Sequence, residues 1–402
     1  MCFPGPLRYN GVVRTGLERL LEDPRRWLGA ARVGLVANPT AVDRRLAHAA
    51  DLLHQHPDVD LRRLFGPEHG LRGSAQDMVE VADATDPGTG LPAVSLYGAT
   101  FDSLSPTAEQ LAGLDLLLFD IQDVGARYYT YAATMALCMR AAKPSQVKVV
   151  VLDRPNPIGG VAVEGGGLDD GLENFCGLYP VPQRHGMTLG ELARLYNQTF
   201  GIGCELDVVA CDGWSRSAYY DECALPWVMP SPNMPTPETA LAYPGMCLLE
   251  GTNLSEGRGT TRPFELFGAP FIDGDALARE LRRHDLPGVR FRPCVIEPAF
   301  HKFAGRRCGA LQLHVTDRRA FAPYHTGLAV LVAARKLWPE AFAWRTEPYE
   351  FRADVPAIDL LTGRPAVRQA IDGGAALDEV VEIACGGTEL YDAGRDGALL
   401  YD

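Results

Sequence analysis

Three short stretches of this chain carry side chains able to move a proton or hold an anion. In LFGPEHGLRG (64–73), Glu68 follows an apolar run and stands beside His69, with Arg72 close behind. A carboxyl partly desolvated by such a loop has its pKa pushed toward neutrality, which suits it to protonate a leaving group. The alternative is a polar surface turn, or an ion pair with Arg72. In FDIQDVGARYYTY (119–131), Asp120 and Asp123 precede Arg127 and three tyrosines. Strand alternation puts residues three apart on opposite faces, so Asp123, nearer the loop, is the functional choice and Asp120 its helper. In LEGTNLSEGRGTTRPFE (249–265), Glu250, Asn253, Ser255, Glu256, Arg258 and Thr260 lie among glycines that let backbone approach a ligand closely. That stretch reads equally as a solvated acidic loop.

Two further residues have polar heads in suggestive places. His185 in QRHGMT precedes a helix start, where it either meets a ligand or fills an N-terminal motif. Asn233 in SPNMPTPET offers a bidentate amide to a sugar, unless that stretch is a rigid proline-rich spacer. Other chemistries lack their residues. No GxGxxG or GxxxxGK[ST] phosphate loop follows a strand, no nucleophile-elbow spacing occurs, and no Cys/His spacing suggests zinc. Neither a metal nor an organic cofactor is expected.

The elements that must position these residues are legible as apolar runs: RVGLVAN (32–38), LRRLFG (61–66), AVSLYG (93–98), DLLLFDIQD (115–123) and VKVVVLDRPNP (147–157). Helical spacing fills most of the intervals, as in RRLAHAADLLHQH and YTYAATMALCMRAAK. Strands apolar on both faces that alternate with helices predict an α/β fold, a Rossmann-like doubly wound and mostly parallel sheet. Ligands of such sheets bind beyond the carboxyl ends of the strands. Here those ends read ANPT, GPEHG, DIQDVGARYY and DRPNPIGG. Thr188 and Glu191 form a capping box that opens a helix, with Gly201 as its stop. The segment 226–265, dense in Pro and Gly, reads as a structured active-site loop. The expected division is a catalytic domain over 1–265 and a smaller α+β auxiliary domain over 266–402.

The 402 residues carry a formal charge of −13 and no cluster of Lys and Arg with aromatics, so nucleic acid is excluded as an expected partner. An anion could still bind locally through Arg72, Arg127, Arg258 or Arg262. Ten cysteines without a CxxC pair read as free thiols in a reducing compartment. No apolar run reaches 18 residues and no leader pattern opens the chain, so membrane insertion is not expected and the location reads as cytoplasmic, or exported if the start lies upstream. Oligomeric state is open.

Taken in order, GLVANPTAV, PEHGLRG, FDIQDVGARYYTY, DRPNPIGG, RHGMTLGELA, SPNMPTPETALAYPG, EGTNLSEGRGTTRPFELFGAPF and FRADVPAIDLLTG resemble the NamZ-like exo-β-N-acetylmuramidases, a bacterial glycoside hydrolase family. The resemblance runs from about residue 30 to the C-terminus. It implies a Rossmann-like domain joined to a smaller one with the active site between them, and release of terminal N-acetylmuramic acid from non-reducing ends of peptidoglycan fragments. It also makes Glu68 the general acid/base. Such a reaction needs a proton donor and a second carboxylate or a substrate acetamido group. Asp123 and Glu256 are the candidates for the second role. The expected substrate contacts are Asn38, His69, Arg72, Arg127, Tyr128, Asn156, His185, Asn233, Asn253 and Arg258, with arginines clamping the lactyl carboxylate of muramic acid. Two other readings compete: a muropeptide-binding module without catalysis, and an amino-sugar or sugar-phosphate isomerase using Glu68 as base.

Overall fold

The computed structural model describes residues 12–68, 70–72 and 84–402. Its larger sheet is built from the apolar runs. Strands β1 (Arg32–Ala37), β2 (Asp60–Gly66), β3 (Ala84–Thr85), β4 (Pro92–Ser95), β5 (Leu116–Asp120), β6 (Lys148–Leu152) and β7 (Leu206–Val209) lie in the order β3-β4-β2-β1-β5-β6-β7. All neighbours are parallel except β3 with β4. All five residues of β5 are buried, as are five of the six in β1, because apolar layers cover both faces. Val36 and Phe119 point into one core and Leu35 and Leu118 into the other, as the period of two requires.

The chain leaves β1 toward β2 on one side and returns to β5 on the other, so the order reverses between β1 and β5. That reversal opens a crevice at the carboxyl ends of the strands. Beyond it lies the helix Tyr131–Ala142, buried at ten of its twelve positions. A helix apolar all round must be covered all round. The sheet covers one side through β6, the helix Leu189–Gln198 packs on another, and the apolar core that holds this helix extends to C-terminal residues such as Leu249 and Leu328.

The second sheet is antiparallel: β8 (Leu266–Ala269), β9 (Val289–Ile296) and β10 (Cys308–Val315), in the order β8-β10-β9. The helix Pro323–Leu337 packs against the helix Pro237–Met246. They meet at Gly245 and Gly327, where a Cβ on Gly245 would stand 1.7 Å from the Pro323 carbonyl oxygen. The segment 226–265 is thus partly helical, and Pro244 lies inside that helix. The Pro244 carbonyl accepts a hydrogen bond from the Tyr128 hydroxyl. The predicted capping box at Thr188 is formed, opening the helix Leu189–Gln198. Among the described residues no helix is long and apolar enough to cross a membrane, and the nine described cysteines are all free thiols.

Candidate active site

Glu68 stands two residues past the end of β2, in a turn closed by a hydrogen bond from Gly70 N to the Pro67 carbonyl of 2.9 Å. Gly66 has no room for a side chain there, since a Cβ would lie 2.7 Å from Leu71 N. The carboxyl is buried, 6% exposed, and accepts a hydrogen bond of 3.0 Å from the Thr130 hydroxyl. Thr130 immediately precedes the helix Tyr131–Ala142, at the end of the β5 loop. Two crevice loops therefore meet at Glu68.

Around this carboxyl lies a cavity walled by Tyr128, Tyr129 and Tyr131 from the β5 loop, and by Ser231 and Met234 from the proline-rich segment. Its far wall comes from the C-terminal half: Tyr243, Glu250, Arg258, Phe264, Tyr349 and Glu350. The rings pack edge to face, Tyr129 against Tyr131 at 5.1 Å and against Tyr243 at 5.5 Å, and Tyr243 against Phe264 at 4.8 Å. Burial raises the phenols of Tyr128, Tyr129 and Tyr243 well above their ordinary range, so they stay protonated donors. Tyr131 donates to the Pro230 carbonyl at 2.6 Å, whereas the buried Tyr129 hydroxyl has no hydrogen-bond partner among the described residues. Glu250 is committed: it accepts from Arg258 at 2.8 Å and from the Tyr349 hydroxyl at 2.7 Å. A larger cavity of 670 Å3 lies at the opposite, amino ends of β1 and β2, beside Ala31 and Asp58–Asp60, where no catalytic group is gathered.

The structure does not bring Asp123 and Glu256 to the cavity wall. Asp123 instead accepts from Gly125 N at 2.7 Å and lies 3.4 Å from His185 Nε2, buried behind the tyrosine loop. With Gly125 at a φ of 84°, this contact shapes the turn that delivers Tyr128–Tyr131. Glu256 is fully buried beside Lys302 (3.0 Å), His301 (3.3 Å) and Arg258 (3.4 Å). Burial alone would raise its carboxyl, but the charges of Lys302 and Arg258 and the hydrogen bond from His301 outweigh burial and hold it below its ordinary range. Glu256 is thus enclosed by its ion-pair partners and lies outside the lining of the cavity around Glu68. Asp120 likewise ends β5 in a buried ion pair with Arg154 at 2.6 Å.

Of the arginines expected to hold an anion, only Arg258 lines the cavity, with its guanidinium 5.3 Å from the Phe264 ring centroid. Arg127 is a correction: its buried guanidinium donates to the carbonyls of Gly166, Gly167, Val181 and Leu361 at 2.8–3.1 Å, tying the C-terminal half to the crevice loops. Arg72 is another, bound to Asp51 and Asp86, each at 2.9 Å. Asn156 folds its own loop, donating to Met187 O and accepting from Ile158 N. Asn253 clasps the backbone of Ala341 and Ala343, away from Glu68. Asn233 is buried outside the lining, and the His185 ring accepts from Met187 N. Asn38, buried at the end of β1, accepts from Thr40. Tyr128 lines the cavity, and His69 lies outside the described residues.

Tyr129, Thr130, Tyr243, Tyr349 and Glu350 were not singled out as site residues in the sequence. The first two stand in a stretch already marked for chemistry, but PYEF (348–351) carries no spacing that marks it.

Comparison with known proteins agrees with this architecture. Residues 33–238 match the family model of the exo-β-N-acetylmuramidase NamZ N-terminal domain, and residues 241–401 match that of the C-terminal domain. The peptidoglycan β-N-acetylmuramidase NamZ of Bacillus subtilis (strain 168) is 46% identical over 369 residues, covering 92% of this chain and 86% of that protein. Two crystal structures of DUF1343 family proteins from Bacteroides fragilis NCTC 9343 share the fold. One has 34% identity and a TM-score of 0.88 over 97% of this chain and 99% of its own. The other has 29% identity and a TM-score of 0.75 over 98% and 99%. With both halves matched in order and the crevice between them intact, the chain belongs to the exo-β-N-acetylmuramidase NamZ family.

Proposed function

We propose that this chain is an exo-acting glycoside hydrolase that releases terminal N-acetylmuramic acid from the non-reducing ends of peptidoglycan fragments, with Glu68 as general acid. The supporting observation is the placement of Glu68: a buried carboxyl at the strand-order reversal, inside an aromatic cavity. Aromatic side chains suit the apolar face of a sugar ring, and a carboxyl at the cavity wall stands where a leaving oxygen can be met. Arg258 is the guanidinium within reach of a lactyl carboxylate, which would compete with Glu250 for its donors. The free volume beside Glu68 is 40 Å3. Small-molecule sites typically offer about 300 Å3 or more, so a sugar enters only as a wall moves aside.

The test is chromophore release from 4-nitrophenyl β-N-acetylmuramide, with the N-acetylglucosaminide as control. Wild type should cleave the muramide alone, and Glu68→Gln should lose about a hundredfold or more in kcat. If neither glycoside is cleaved while a muropeptide still binds, the cavity is a recognition site and the hydrolase reading fails.

A further inference from the structure

We infer that Glu350 is the second reacting carboxylate of this site, taking the proton released by the group that attacks the anomeric carbon. This rests on the hydrolase reading above and supplies the partner that neither Asp123 nor Glu256 provides.

Four observations carry it. First, Glu350 lines the same cavity as Glu68 and is 8% exposed, although it arrives from the opposite half of the chain. Second, it occupies a backbone position that disfavours it. Tyr349 and Arg352 exchange backbone hydrogen bonds of 2.8 and 2.9 Å, leaving Glu350 and Phe351 as a two-residue hairpin tip with φ of 45° and 65°. A tip with both central residues at positive φ normally carries Asn-Gly or Asp-Gly. Bulky residues persist in such conformations where their surroundings over-determine them, often at functional sites. Third, the surroundings do so here. The Phe351 ring lies 6.2–6.3 Å from those of Phe175, Tyr97 and Phe101, all from the sheet-bearing half, and the Tyr349 hydroxyl is bound to Glu250. Phe351 rests against those three rings on one side while staying 37% exposed, and its neighbour Glu350 lines the cavity. Fourth, the Tyr129 hydroxyl in the same cavity is buried without a hydrogen-bond partner among the described residues, as expected of a donor reserved for a bound molecule.

The proton balance closes. The C1–O bond breaks with its electron pair passing to the leaving oxygen, which takes the proton of Glu68. The nucleophile, water or the substrate's own acetamido oxygen, bonds to C1 and releases one proton, from O–H or N–H, to Glu350. Glu68 is left as carboxylate and Glu350 as acid, and the following steps or solvent exchange restore both.

The experiment compares Glu350→Gln, Glu350→Asn and Glu68→Gln on 4-nitrophenyl β-N-acetylmuramide and on a disaccharide with a poor leaving group, together with Tm. A lost general acid matters most for the poor leaving group, so Glu68→Gln should lose more on the disaccharide. Glu350→Gln should lose at least a hundredfold in kcat to a similar degree on both, with little change in KM. Glu350→Asn should be equally inactive yet melt no lower than wild type, because Asn accepts positive φ. Either Glu350 variant keeping more than a tenth of wild-type kcat overturns the inference. So does a fall in Tm in both that accounts for the lost activity, since Glu350 would then be a structural residue. Retained activity in Glu68→Gln would instead overturn the general-acid reading.

Discussion

The cavity around Glu68 and the cage around Glu256 each enclose a buried acid on a glycine-flanked loop, and the two acids meet different surroundings. Glu256 is surrounded by Lys302, His301 and Arg258. Its charge is balanced on the spot, and it braces the loop that carries Arg258, outside the lining of the cavity around Glu68. Glu68 is met by the hydroxyl of Thr130 and by aromatic walls. Whether burial pushes a carboxyl toward its protonated form or a neighbouring charge holds it ionised is decided by what is packed beside it. Asp153 makes the same point elsewhere: burial pushes it up to about 6, despite hydrogen bonds from Tyr401, Thr188 and Gly190.

The largest expected effect is at the cage. Glu256→Gln should destabilise the protein by about 3 kcal/mol, because breaking a buried ion pair leaves the opposite charges uncompensated. Urea unfolding measures it, and folded variant should keep kcat within about tenfold. A folded, stable and inactive variant would break the contrast and return Glu256 to the chemistry.

Asp153 comes next. Its pKa is raised from 3.8 to about 6 on folding, so the folded state holds its proton more tightly than the unfolded chain. Its contribution is therefore favourable below pH 4 and lost as pH rises to 6, a span of about 3 kcal/mol at 1.36 per pKa unit. Asp153→Asn should flatten the dependence of unfolding free energy on pH across that window. An unchanged slope would sink the assignment.

The smallest effect is at Glu68 itself. The isosteric amide keeps the shape of the side chain and can still accept the Thr130 hydrogen bond, so Glu68→Gln should leave Tm close to wild type while activity collapses. Stability traded against activity marks a functional group. A Tm fall comparable to that of Glu256→Gln would erase the difference between the two regions.

Much of the fold was legible because its strands are apolar on both faces. Leu116–Asp120 and Lys148–Leu152 could be read directly, and the Thr188 capping box announced its helix. Less visible were β7, four residues with only Val209 buried, and the helix Pro237–Met246. Its proline-rich sequence argues against a helix, and tertiary packing at Gly245 overrides that preference. Within the site, local spacing located the loops bearing Glu68 and Tyr128–Tyr131. It misplaced Arg127 as an anion clamp, since a guanidinium on a crevice loop looks the same whether it faces a substrate or four backbone carbonyls.

The sequence by itself determined the layered sheet, the loops at its carboxyl ends and the presence of acids on them, because periodicity and glycine placement act over a few residues. Tertiary structure alone decided which acid meets a cation and which meets an aromatic wall. Lys302 lies 46 positions from Glu256, and Glu350 lies 282 from Glu68. Electrostatic environment is set by distance in space, and over such separations the chain's order says nothing about that distance.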